Sequence, residues 1–119
     1  VFDREKLKNA SNDSTIHTWG IYDGIGEPIK LNFSEYYKRF IYDADFAKAE
    51  EVSFNKPLGG GNTINNTFEF YKDSVIIEYH FPGTNPEFGG MDWRSLKIAF
   101  EKYDGTWYIV GIIHDEWTI

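Results

Sequence analysis

Asp104-Gly105 constrains the fold of this chain more than any other dipeptide. It lies between two apolar, strand-forming runs, Leu96 to Tyr103 and Thr106 to Trp117. Asp-Gly tolerates positive φ at both positions and so closes a two-residue type I′ hairpin. With that turn Tyr103 faces Thr106, and the ladder pairs Phe100 with Ile109, Ile98 with Gly111, Leu96 with Ile113 and Arg94 with Asp115. The other face pairs Ala99 with Val110, Lys97 with Ile112 and Ser95 with His114. Arg94 and Asp115 are therefore expected to form a guanidinium–carboxylate pin at the end of the core face. His114 falls on the opposite face, so Asp115 does not orient it as a triad would.

A second hairpin is expected upstream. Ile64, Asn66, Phe68 and Phe70 alternate with polar neighbours, as do Val75, Ile77, Tyr79 and Phe81. A Lys72-Asp73 turn gathers the apolar set on one face, whereas a one-residue slip scatters it. The strands expected are 64–72, 74–82, 94–103 and 106–117. Thr15 to Tyr22 also has strand composition, and the glycines of residues 23–28 mark a turn. Helices are expected over 3–10, capped by Asp3, and over 34–42, capped by Ser34 or Asn32. In the second helix Phe33, Tyr36, Tyr37, Phe40 and Ile41 recur at helical spacing, which marks core packing. Residues 44–51 read as a further short helix. Pro57 to Asn62, with three consecutive glycines, reads as a flexible connection.

At 119 residues the chain suits one domain with one core. A formal charge of −7 argues against a nucleic-acid or anionic-membrane partner, since no basic cluster offsets it. The lack of cysteine excludes disulfides, thiol nucleophiles and zinc–thiolate sites. No apolar run reaches the roughly 18 residues that span a bilayer. The chain opens on Val1, and this is read as a fragment that lacks upstream sequence.

The candidate chemistry rests on few residues. Glu78 and His80 share one face of a strand, and His114 and Glu116 share one face of another. Brought together on one concave face, the four would suit a divalent metal or a general acid/base pair, although a satisfied or solvent-facing histidine is the default reading. No P-loop, HExxH motif or nucleophile elbow occurs, and neither a metal nor a cofactor is expected. Trp19, Trp93 and Trp117, with nearby Asp and Asn, are candidates for a sugar-stacking platform.

Three stretches carry a resemblance: TWGIYDGIGEPIKLNFSEYYKRFIYDADFAKAE, GGGNTINN and GMDWRSLKIAFEKYDGTWYIVGIIHDEWTI. They resemble an uncharacterised domain of secreted or lipid-anchored proteins of Gram-positive bacteria, of the Bacillus and Paenibacillus type. The resemblance implies an extracellular or cell-surface location. The order of helices and strands is similar to the cystatin-like, NTF2-like layout, which implies an α+β fold with short helices on a curved antiparallel sheet. The expected function is a non-enzymatic binding or interaction module. Its partner would be an unknown small molecule, a cell-envelope polysaccharide or a protein, met at Glu78, His80, Trp93, His114 and Glu116. The alternative is an NTF2-like small-ligand pocket or enzyme using His80 and His114 with Glu78 and Glu116.

Overall fold

Asp104 and Gly105 take φ of 49° and 79° and close the hairpin with Tyr103 opposite Thr106, as the turn chemistry requires. These values come from a computed structural model that describes residues 3–61 and 64–117. The chain is α+β, with short helices, one two-stranded and one four-stranded antiparallel sheet. It forms two compact units, residues 3–43 and 44–117. Among the described residues no helix is long and apolar enough to cross a membrane.

The first unit opens with α1 (Arg4–Lys8), capped by Asp3, whose carboxylate accepts the Lys6 N–H at 2.8 Å. A hairpin follows, β1 (His17–Ile21) with β2 (Pro28–Leu31). Next comes α2 (Phe33–Tyr36), which runs on as a wider π turn over Tyr37–Ile41. Asn32 is the cap in full: its side chain accepts the Glu35 N–H, and the Glu35 carboxylate accepts the Asn32 N–H, both at 2.9 Å. The spacing predicts core packing for the aromatic stripe of this helix, but Phe33, Tyr36, Phe40 and Ile41 are only half-buried and Tyr37 is 40% exposed. Trp19 stacks on Tyr36 with centroids 3.9 Å apart and planes 6° from parallel, and Phe40 packs on both Tyr36 and Tyr22. The Trp19 indole N–H donates to the Leu31 carbonyl at 2.9 Å. Burial in this stack raises the Tyr36 hydroxyl pKa.

The second unit is built on a sheet ordered β3–β4–β5–β6. Its strands are β3 (Glu51–Phe54), β4 (Val75–Phe81), β5 (Arg94–Tyr103) and β6 (Thr106–Glu116). Two expectations are corrected here. The stretch 64–72 is not a strand paired with β4; it holds the single helical turn α3 (Thr67–Phe70). The edge of β4 is taken instead by β3, from a segment whose start read as helix. The reason lies in Asn55, which sits at φ 57°. Its side-chain oxygen accepts the Ile76 N–H at 2.8 Å, and its own N–H donates to the Ile76 carbonyl at 2.8 Å. The ladder groups of Ile76 are thus satisfied before any strand from 64–72 reaches them.

The second correction concerns the register of β5 with β6. Phe100 pairs with Ile109 as expected, but a bulge at Val110 shifts every later pair by one. Ala99 faces Gly111, Ile98 faces Ile112, Lys97 faces Ile113, Leu96 faces His114, Ser95 faces Asp115 and Arg94 faces Glu116. The expected Arg94–Asp115 pin is therefore not formed, because the two residues project from opposite faces. Packing explains the shift. A Cβ at Gly111 would stand 2.4 Å from the Tyr71 ring and hydroxyl oxygen, so the residue opposite Ala99 has to be glycine. Without the bulge Val110 would hold that position and meet Tyr71.

A pocket on the buried polar face

The sheet of the second unit has two unlike faces. One carries Val52, Phe54, Ile77, Tyr79, Leu96, Ile98, Phe100, Ile109 and Ile112, with Phe46 packed on Phe81 and His114 at one end. The other carries Glu78 and His80 from β4, Ser95 and Lys97 from β5, and Asp115 from β6. The polar face is the better buried of the two. Glu78, Ser95 and Lys97 are fully buried and His80 almost so, while Val52, Phe54, Ile109 and Ile112 stay about half exposed.

Charged groups tolerate such burial only when paired. Lys97 Nζ donates to Asp115 Oδ2, an ion pair whose lysine is 0% and whose aspartate is 26% exposed. Glu78 stands opposite Lys97 in the β4–β5 ladder, and its carboxylate grips the chain above it. Oε2 accepts the Leu58 N–H at 2.8 Å and Oε1 accepts the Gly59 N–H at 2.9 Å. His80 Nδ1 and Ser95 Oγ share a hydrogen bond of 2.6 Å. Each of these five side chains has a defined partner.

The Pro57-to-Gly61 segment, read from sequence as a flexible connection, is a strap pinned over this face by Glu78. Its glycines permit the approach. A Cβ at Gly59 would come within 2.7 Å of Ser95 Oγ and 2.8 Å of the Trp93 ring, and one at Gly61 within 3.0 Å of Trp93. Gly60 has open space. Between strap, sheet and α3 lies a cavity of about 270 Å³, lined by Pro57, Gly59, Gly60, Gly61, Asn65, Phe68, Trp93 and Asp115. It has two aromatic walls, a glycine backbone and two polar side chains, the usual make-up of a small-molecule site.

Trp93 is placed by the loop before it. Asp92 Oδ2 accepts the Thr84 and Asn85 N–H groups, each at 3.1 Å, which folds residues 84–92 into a closed turn. The Asn85 N–H holds the Asp92 carboxyl below its ordinary pKa, with help from the Thr84 N–H and the Arg94 charge. The Trp93 ring then packs against His80, 5.9 Å between centroids.

The four-residue site expected from sequence is therefore split. Glu78 and His80 share the buried polar face, and Trp93 lines the cavity beside them. His114 and Glu116 lie on the reverse face of β6, carried there by the bulge. Asp115, expected to pin Arg94, is the β6 residue that reaches the cavity. Of the three indoles proposed as a stacking platform, Trp93 alone lines it; Trp19 is stacked within the first unit, and Trp117 is 38% exposed at the end of β6. Sequence reasoning missed Lys97, Ser95, Asn65 and Phe68. Lys97 did leave a signal: a lone charge inside the apolar run Leu96–Phe100 needs a buried counter-charge.

No family model matches this chain, and neither the curated proteins nor the solved structures contain a significant match. The class defined here is thus one of architecture: an α+β chain whose four-stranded sheet buries a polar, ion-paired face under a glycine strap.

Proposed function

We propose that the chain is a binding module of the cell envelope, non-enzymatic, which captures a small ligand in the cavity beneath the Pro57–Gly61 strap. One observation carries the reading: the cavity of about 270 Å³ has an aromatic wall at Trp93 and a carboxylate at Asp115, on a sheet face that is otherwise closed. Two features favour binding over catalysis. Glu78, His80 and Lys97, the groups with acid/base capacity, are each committed to a hydrogen bond or ion pair. None of the three lines the cavity, and Asp115, the titratable side chain that does, is ion-paired to Lys97. Catalysis by proton transfer needs such a group within reach of the reacting atom.

The test is a fragment screen read by ¹⁵N-resolved NMR. Binding shifts should cluster on the Trp93 indole N–H and on the Gly59, Gly60 and Gly61 amides. Hits that scatter over other surfaces, with that cluster unmoved, would refute the reading.

A further inference from the structure

Resting on that reading, we infer that the cavity is built for a neutral, polyhydroxylated ring, a saccharide unit. The inference comes from its donor and acceptor complement. The Asn65 side-chain oxygen accepts the Thr67 N–H at 3.1 Å, which leaves the Asn65 amide NH₂ as the donor toward a ligand. Asp115, which lines the same cavity, spends Oδ2 on Lys97 and keeps Oδ1 as an acceptor. A ligand that satisfies both side chains must accept from Asn65 and donate to Asp115. A hydroxyl does both, and neighbouring hydroxyls on a ring do so at adjacent positions.

Other ligand classes fit less well. An anion meets the Asp115 carboxylate, and Lys97, the cation of this face, is already engaged. The strap N–H groups of Leu58 and Gly59, which would otherwise cradle an oxyanion, donate to Glu78. An ammonium group has donors only, so it leaves the Asn65 NH₂ unsatisfied, and Lys97 already compensates the Asp115 charge. A wholly apolar ligand would cover the Asn65 NH₂ and Asp115 Oδ1 without satisfying either. Trp93 and Phe68 complete the match, since the C–H face of a sugar ring packs on an aromatic ring while its hydroxyls reach the polar groups.

The experiment titrates the chain with cellobiose, N,N′-diacetylchitobiose, choline and inorganic phosphate, reading the Trp93 indole N–H and the strap amides by NMR. At least one disaccharide should give saturable shifts at those positions. Its affinity should change less than about twofold between about 50 and about 500 mM NaCl, because no net charge is engaged. Asn65→Asp keeps the oxygen that caps Thr67 and replaces the donor by an acceptor; it should weaken the disaccharide by about tenfold or more with the rest of the spectrum unchanged. Asn65→Ala should weaken it too. Saturation by choline or phosphate without either disaccharide would overturn the saccharide assignment and leave the pocket standing. Absence of disaccharide shifts, or full affinity in Asn65→Asp, would also overturn it.

Discussion

Replacing Lys97 by Met tests the buried ion pair, and the structure sets the size of the effect. Methionine keeps most of the volume and removes the ammonium. Breaking a buried pair by removing one partner costs about 3–5 kcal/mol, because an uncompensated charge stays behind. Here the stranded partner is Asp115, and it is 26% exposed, so water recovers part of its solvation. Glu78 keeps its two backbone N–H bonds. We therefore expect a loss of about 2–4 kcal/mol in urea unfolding followed by far-UV circular dichroism, with an unchanged m-value. Lys97→Met with Asp115→Leu removes both charges and should return to within about 1 kcal/mol of the parent. Arg94→Ala combined with Asp115→Leu should be additive to within about 0.5 kcal/mol, because the two residues lie on opposite faces. A Lys97→Met cost below about 0.5 kcal/mol, or strong coupling between Arg94 and Asp115, would refute the reasoning.

Three further outcomes follow from particular contacts. Gly59→Ala forces a methyl against Ser95 Oγ and Trp93 and should destabilise by about 1–3 kcal/mol, whereas Gly60→Ala, with open space, should melt like the parent. Asn32→Ala removes the capping box of α2 and should cost about 1 kcal/mol in thermal unfolding. The Asp92 carboxyl has a folded pKa below its unfolded one, so its contribution is full above the ordinary carboxylate range and is lost as pH falls through the folded value. An acid titration of Trp93 fluorescence should therefore show the loop loosening below the ordinary carboxylate range, and Asp92→Asn should loosen it at neutral pH; an unchanged acid profile in that variant would count against the role given to Asp92.

Much of the fold was legible because its signals are local. Asp104-Gly105 fixes a turn by backbone sterics alone, and Asn32 with Glu35 marks a helix start whatever packs on it. The stripe Phe33, Tyr36, Phe40 repeats at helical spacing and packs, half-buried, against Trp19 and Tyr22. The site was less legible because two non-local contacts decide it. Nothing in the sequence beside Val110 announces a bulge. The need for one arises from Tyr71, nearly forty positions away, which fills the space a side chain at Gly111 would take. That single extra residue moved Asp115 onto the face of Lys97 and sent His114 and Glu116 to the reverse. The alternation of residues 64–70 is likewise real, but Asn55 had already closed the ladder beside Ile76. The pairing of Glu78 with the strap depends on a contact some twenty residues apart, and only the run of three glycines hints at it.

The register of β6 beyond Val110 carries the whole account of the pocket, since it decides which side chains face the strap. Cross-strand nuclear Overhauser contacts along β5 and β6 measure it directly. The account predicts pairing of Lys97 with Ile113 and of Ser95 with Asp115. Pairing of Lys97 with Ile112 and of Ser95 with His114 would contradict it, return Asp115 to the side of Arg94, and remove the carboxylate from the cavity.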